Sequence, residues 1–267
     1  MSHSADNAGL TGSAIVLDGT SGSGKTFLAC RIALANAFAT GGAILAYDPT
    51  GHVELNLRSQ EKHYRDKLDR ARRDGGSRAV DDALTRLSLF RDGDRLCFMG
   101  IGEERAFAAT LRGIVSARRT EPFGCVLIDE GGFARNDRGA KEHLESAMRG
   151  AVPLARNART LVVLSGHRLM AAVPEIRAVM RARVMWANPD PVAQDALADY
   201  AESRGWCVHS DAMGTVAPDK RAFYRGIRFD SAASRARPFE LERESRLPGW
   251  MYLPAIMSDA PERAMVI

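Results

Sequence analysis

Six short apolar runs punctuate the first 190 residues: Ala14–Leu17, Ala43–Tyr47, Leu96–Met99, Phe123–Ile128, Leu161–Leu164 and Arg183–Asn188, the last centred on Val184-Met185-Trp186. The runs are mostly continuous rather than alternating, the signature of strands buried on both faces. Helix-capable stretches separate them: Phe27–Ala39, Arg58–Arg73, Val80–Phe90, Glu103–Arg118 and Lys141–Asn157. Strands alternating with helices predict an α/β three-layer sandwich with a mainly parallel central sheet.

The rhythm breaks between Leu55 and Phe90. Arg58–Arg73 carries seven basic residues, Arg58, Lys62, Arg65, Lys67, Arg70, Arg72 and Arg73, against three acids, Glu61, Asp66 and Asp69, with little apolar face to bury. Such a helix is either a solvated surface or a polyanion-binding one. Asp74-Gly75-Gly76-Ser77 reads as a hinge before the more amphipathic Val80–Phe90. The expected organisation is a flexible, polar N-terminus over 1–12, a core over 13–190 with a basic helical insertion at about 55–92, and an extension over 191–267. The extension contains no assignable motif, and either covers the core or wraps a neighbouring subunit.

Composition narrows the class only modestly. A chain of 267 residues, 45% hydrophobic, can bury a substantial core. The net charge of +4 permits a nucleic-acid partner without demonstrating one. Cys30, Cys97, Cys125 and Cys207 form no CxxC pair, so neither a zinc site nor a disulfide framework is expected. No apolar run reaches the roughly 18 residues of a membrane span, and the N-terminus lacks a charged-then-apolar leader, so a cytoplasmic protein is expected.

The chemistry concentrates at the ends of the predicted strands. Gly19-Thr20-Ser21-Gly22-Ser23-Gly24-Lys25-Thr26 joins the first strand to the first helix. In that context GxxxxGKT is a phosphate-binding loop: glycines allow backbone N–H groups to turn inward, and the helix start adds its positive end. Lys25 reaches the β- and γ-phosphates of ATP, the Thr26 hydroxyl ligates Mg²⁺, and Phe27 borders the nucleotide. Cys125-Val126-Leu127-Ile128-Asp129-Glu130 ends an apolar strand in two carboxylates. This is the form of a Walker B strand, in which Asp129 holds the Mg²⁺ coordination sphere and Glu130 serves as general base toward water. Asp48, ending the second strand in Asp-Pro-Thr-Gly, faces the nucleotide side or simply forms an Asp-Pro turn. His167, past the strand beside Walker B, is placed to sense the γ-phosphate or orient water, or is a loop histidine.

Taken in order, the loop from Gly19 to Thr26, Asp48-Pro49-Thr50-Gly51, Cys125 to Glu130, Arg156-Asn157-Ala158-Arg159 and Ser165-Gly166-His167-Arg168 resemble the HerA/FtsK superfamily of P-loop motors. That superfamily is similar to RecA in fold and includes DNA translocases, conjugation ATPases and viral genome-packaging ATPases. The likeness spans about residues 14–188 and implies a RecA-like core. By position it makes Glu130 catalytic, Arg159 a finger acting in the neighbouring subunit with Arg156 as the alternative, and His167 the sensor. An arginine capping a helix C-terminus is the other reading of Arg159. His167 stands where the family has glutamine, and imidazole also donates a hydrogen bond.

A motor domain of this length resembles the packaging ATPases of tailless viruses and phages more than the chromosome translocases. The resemblance therefore implies an ATP- and Mg²⁺-dependent translocase acting on double-stranded DNA, assembled as a homo-oligomeric ring, a hexamer, with viral capsid or vertex proteins as partners and a location in the host cytoplasm or virion. Two alternatives stay open. A nucleotide-kinase-like phosphotransferase would bring a compact arginine-rich lid, which the sequence does not show. A morphogenesis ATPase resembling the zonula occludens toxin family would bring a membrane span.

Overall fold

The computed structural model describes residues 14–18, 24–91, 95–116, 124–129, 145, 148–151, 160–166, 180–185, 223–230, 235–242, 247–248 and 251. Its elements run β1 (Ala14–Asp18), α1 (Lys25–Thr40), β2 (Ala43–Tyr47), α2 (His52–Arg73), α3 (Ser77–Arg91), β3 (Leu96–Met99), α4 (Glu104–Ser116), β4 (Gly124–Ile128), β5 (Thr160–Gly166), β6 (Met180–Met185), β7 (Phe223–Asp230) and β8 (Arg235–Glu242). All six expected strands form, with ends shifted by a few residues. The expected Lys141–Asn157 helix falls largely outside the described residues, of which 145 and 148–151 are helical.

The strands make one sheet in the order β3-β2-β4-β5-β1-β6-β7-β8. From β3 to β6 every pairing is parallel. β7 and β8 add an antiparallel hairpin to the β6 edge. The sequence reading assigned no element there, because Arg225, Arg228, Arg235, Arg237 and Pro238 interrupt the apolar pattern that marked the central strands.

Both faces of the central strands are buried. On one, Ile15, Leu17, Ile44, Ala46, Cys125, Leu127, Leu161 and Val163 meet Leu28, Ala29, Ile32 and Ala33 of α1. On the other, Tyr47 packs its ring 5.6 Å from Phe107 of α4 and donates its hydroxyl to Glu104 Oε1 at 2.8 Å. Two helical layers thus enclose the sheet. One close approach depends on glycine: Gly124 has φ +110°, and a Cβ there would lie 2.3 Å from the Ala43 carbonyl oxygen of β2.

The basic segment has an apolar face after all. Val53, Leu57, Tyr64, Leu68 and Ala71 form a buried stripe along α2 at helical spacing, and α3 buries Ala83, Leu87, Leu89 and Phe90. The stripe is at most one residue wide per turn and skips the turn between Leu57 and Tyr64, which is why the charge run hid it. Arg86 fastens the pair to α1. It is 5% exposed, pairs with Asp82 at 3.0 Å, and its guanidinium lies 5.2 Å from the Phe38 ring and 5.5 Å from the Tyr64 ring. A late segment also returns to α1: Leu247 and Met251 belong to the core, and Asn36 Nδ2 donates to the Met251 carbonyl at 2.9 Å.

Candidate nucleotide-binding site

α1 starts at Lys25, behind Gly24, which adopts a left-handed conformation at φ 91°. A residue with a Cβ would be strained there, so the glycine before the lysine serves the geometry of the helix start. The Gly24 carbonyl accepts the first helical bond from Leu28 N–H at 3.0 Å, and no side chain caps this end. The first-turn N–H groups, with the positive end of a 16-residue helix, therefore face the loop that precedes them. Lys25 is buried, Thr26 half-buried and Phe27 36% exposed on this first turn.

Thr26 and Asp129 are 103 residues apart, yet the Thr26 hydroxyl donates to Asp129 Oδ2 at 2.9 Å. β4 carries the aspartate to this point. Its register with β2 runs from Ala43↔Gly124 to Tyr47↔Ile128, and Asp129 N–H continues the ladder by donating to the Tyr47 carbonyl at 3.0 Å. Asp129 has no solvent exposure. A carboxylate so placed is costly unless hydrogen-bonded or joined by a cation. A hydroxyl and a carboxylate oxygen converging at a helix N-terminus are the two protein oxygens that a phosphate-bound Mg²⁺ takes, its other positions going to phosphate and water. The donor set fits that ion. Among the described residues no group of three or more His, Cys, Asp or Glu forms a self-sufficient metal cage.

Asp48 lies one strand away and is engaged differently. Its backbone N–H donates to the Met99 carbonyl at 2.7 Å, Oδ2 accepts Glu54 N–H at 2.8 Å, and Oδ1 accepts the Thr50 hydroxyl at 3.4 Å. These contacts make it the cap of the α2 start, the turn-forming reading of the Asp-Pro pair. Cys30, one turn past Thr26, senses both acids: burial first, then the Asp129 and Asp48 charges, push its thiol well above the ordinary range. It is an inert packing group beneath the site. Burial likewise raises Cys125.

Of the residues expected to act, the structure brings Lys25, Thr26 and Asp129 to one place, with Gly24 and Phe27 beside them. Gly19, Thr20, Ser21, Gly22, Ser23, Glu130, Arg156, Arg159 and His167 lie outside the described residues. One role was missed by sequence reasoning: the capping contact of Asp48 depends on where Glu54 falls in α2, which the Asp-Pro-Thr-Gly turn alone does not record.

No protein-family profile matches the chain, and no curated protein matches its sequence significantly. Solved structures do share its fold. The DNA-packaging ATPase of Sulfolobus turreted icosahedral virus superposes with a TM-score of 0.51 at 14% identity, covering 85% of this chain and 96% of that one. The genome-packaging NTPase of Sulfolobus turreted icosahedral virus 2, solved with sulfate, gives 0.50 at 13% identity, covering 85% and 95%. At such identities the likeness speaks to the fold. The chain has an α/β RecA-like fold, which these two viral genome-packaging ATPases share.

Proposed function

We propose that this protein is an ATP-hydrolysing nucleic-acid translocase, a viral or phage genome-packaging motor acting on double-stranded DNA as a homo-oligomeric ring, a hexamer, in the host cytoplasm or virion. The observation that carries the hydrolytic part is the Thr26–Asp129 hydrogen bond, which joins the phosphate-loop helix to a Walker-B-type strand end at a buried position. The fold shared with viral packaging ATPases supports the translocase part.

In this reading the α1 N-terminus and Lys25 hold the phosphates and neutralise their charge. Thr26 and Asp129 hold Mg²⁺, which supplies Lewis-acid charge stabilisation when bound. Glu130 takes the proton of the attacking water, His167 orients that water, and Arg159 or Arg156 reaches a neighbour's nucleotide.

The test is phosphate release with and without double-stranded DNA, single-stranded DNA and RNA. Wild-type protein should hydrolyse ATP, lose the activity in EDTA, and be stimulated most by double-stranded DNA. Lys25→Ala loses affinity and turnover together, whereas Glu130→Gln keeps ATP bound and loses roughly 10²-fold or more in rate. Wild-type turnover in Glu130→Gln removes the general-base assignment. Transfer of phosphate to a nucleoside monophosphate without DNA stimulation replaces the motor with a kinase.

A further inference from the structure

Directly opposed residues share one face of a sheet, so the registers of β1, β6, β7 and β8 can be read across as rows. Leu17 pairs with Val184, Val184 with Arg228, and Arg228 with Arg237. The neighbouring row on the same face is Ile15, Ala182, Asp230 and Arg235. Ile15 and Leu17 belong to the core on the α1 side. That side of the sheet therefore passes from aliphatic positions on β1 and β6 to Arg228, Arg235, Arg237 and Asp230 on the hairpin.

The second half of this arrangement is unfavourable by itself. Asp230 stands opposite Arg235, a matched pair, but Arg228 stands opposite Arg237 in a row that contains no acid. Like charges directly opposite each other destabilise a strand pair. The glutamates of β8 fall elsewhere: Glu240 and Glu242 alternate onto the other face, where Glu240 is paired with Arg225. β8 is the last strand of the sheet, and charge on an edge strand discourages pairing with another chain. That explains Arg235 and Arg237. It does not explain Arg228, because β7 is paired on both sides and needs no such protection. An anion shared between two opposed arginines turns the repulsion into attraction, and the guanidinium fork matches phosphate oxygens two at a time. On α2, by contrast, Arg58 and Arg65 are matched by Glu54 and Glu61 of their own helix.

We infer that the α1-side face of the β7–β8 hairpin, through Arg228 and Arg237 with Arg235 beside them, contacts the phosphate backbone of double-stranded DNA. The inference rests on the translocase reading above and names the surface that holds the track. Phosphate contacts position a duplex without reading its sequence, which suits a protein that must move along any sequence.

The experiment measures the Kd of the full-length protein for a labelled DNA duplex of mixed sequence between about 50 and about 200 mM salt. Arg228→Gln/Arg237→Gln should bind more weakly and lower the slope of log Kd against log salt by about 2, because each phosphate contact releases about one counterion. Across that range its affinity should be roughly tenfold less sensitive to salt. Arg228→Lys/Arg237→Lys keeps the charges and should keep the slope. Arg65→Gln/Arg72→Gln removes the same charge from α2 and should leave the slope as in wild-type. Without DNA, the hairpin glutamine variant should hydrolyse ATP at the wild-type rate and unfold at the wild-type Tm or above, since a like-charge pair has been relieved. Three outcomes overturn the inference: an unchanged slope in the hairpin glutamine variant; an equal fall in the α2 variant, which makes net charge the cause; or a clear loss of Tm without DNA, which gives the arginines an acidic partner within the protein. If wild-type protein does not bind the duplex at the lowest salt, the translocase reading fails instead, so the two failures are distinguishable.

Discussion

The sheet centre and the α2–α3 pair lie against the same helix, α1, and are held in opposite ways. In β1, β4 and β5 nearly every side chain is apolar and without exposure, so many interchangeable contacts share the load. The helical pair has a buried stripe one residue wide, fastened by a single guanidinium between two aromatic rings. Its outer surface is largely self-contained. Arg58 and Arg65 pair with Glu54 and Glu61, Arg70 and Arg73 donate to the Asp66 and Asp69 carbonyls, and Lys67 lies over the Tyr64 ring, so five of the seven basic side chains engage their own helix. Exposed pairs of this sort contribute about 0–1 kcal/mol each. The difference teaches that the centre is specified by composition and the pair by a few particular residues. These contacts also favour the solvated-surface reading of α2 over a polyanion-binding one.

The largest effect should come from the centre. Gly124→Ala puts a methyl group 2.3 Å from the Ala43 oxygen and forces a Cβ onto φ +110°, and the methyl and the oxygen it meets are fixed to the backbones of adjacent strands. Neither can move without breaking the β2–β4 ladder that carries Asp129. Strain and overpacking together cost about 3 kcal/mol or more. Denaturant unfolding should show that loss, with Thr26 and Asp129 no longer in register and nucleotide affinity falling in parallel. A stability loss under 1 kcal/mol would mean that the centre tolerates backbone movement and that the contrast with the helical pair is weaker than argued.

The second effect is smaller and should be local. Arg86→Ala removes an ion pair, a contact to the Tyr64 hydroxyl and two ring contacts. Its ion-pair partner Asp82 is 55% exposed, so no buried charge is stranded and the loss is about 2 kcal/mol rather than more. Burial pushes the Tyr64 phenol above its ordinary range while Arg86 pulls it back, so the variant should also raise the Tyr64 titration further. Hydrogen exchange should speed up in α2 and α3 and leave β4 and β5 protected. Equal loosening everywhere would show that the pair folds as one unit with the sheet. Arg86→Met, which keeps the packing, should recover part of the loss.

This contrast also explains what was legible in the sequence. Short apolar runs bounded by turn residues read as doubly buried strands, so β1 to β5 were visible and β6 in part through Val184 and Met185, and glycine spacing exposed the helix start at Gly24 and Lys25. The α2 stripe was obscured because each turn offers at most one apolar residue among several charges, and its partner surface on α1 is distant in sequence. Asn36 gave no hint of its bond to Met251, 215 residues on, since nothing local records a long-range carbonyl. The β7–β8 hairpin was missed because an edge hairpin needs little apolar content.

Asp48 is where the two regions meet, and it gives the smallest effect with the sharpest reading. Its carboxylate accepts the Glu54 N–H and the Thr50 hydroxyl, while its backbone continues the ladder to β3. As a cap alone, Asp48→Ala should cost about 1 kcal/mol, some 2–4 °C in Tm for a chain of this size, with nucleotide binding and hydrolysis intact. Asp48→Asn retains an acceptor oxygen for one of the two bonds and should restore most of the stability. The charge itself is then dispensable. A different pattern would tie the helical pair to the nucleotide end: if Asp48→Asn folds as stably as wild-type yet hydrolyses more than tenfold slower, the negative charge acts toward the site beside Asp129 and not only on the α2 start. Measuring both variants for Tm and for phosphate release separates the two, because a cap shifts stability and a site charge shifts rate.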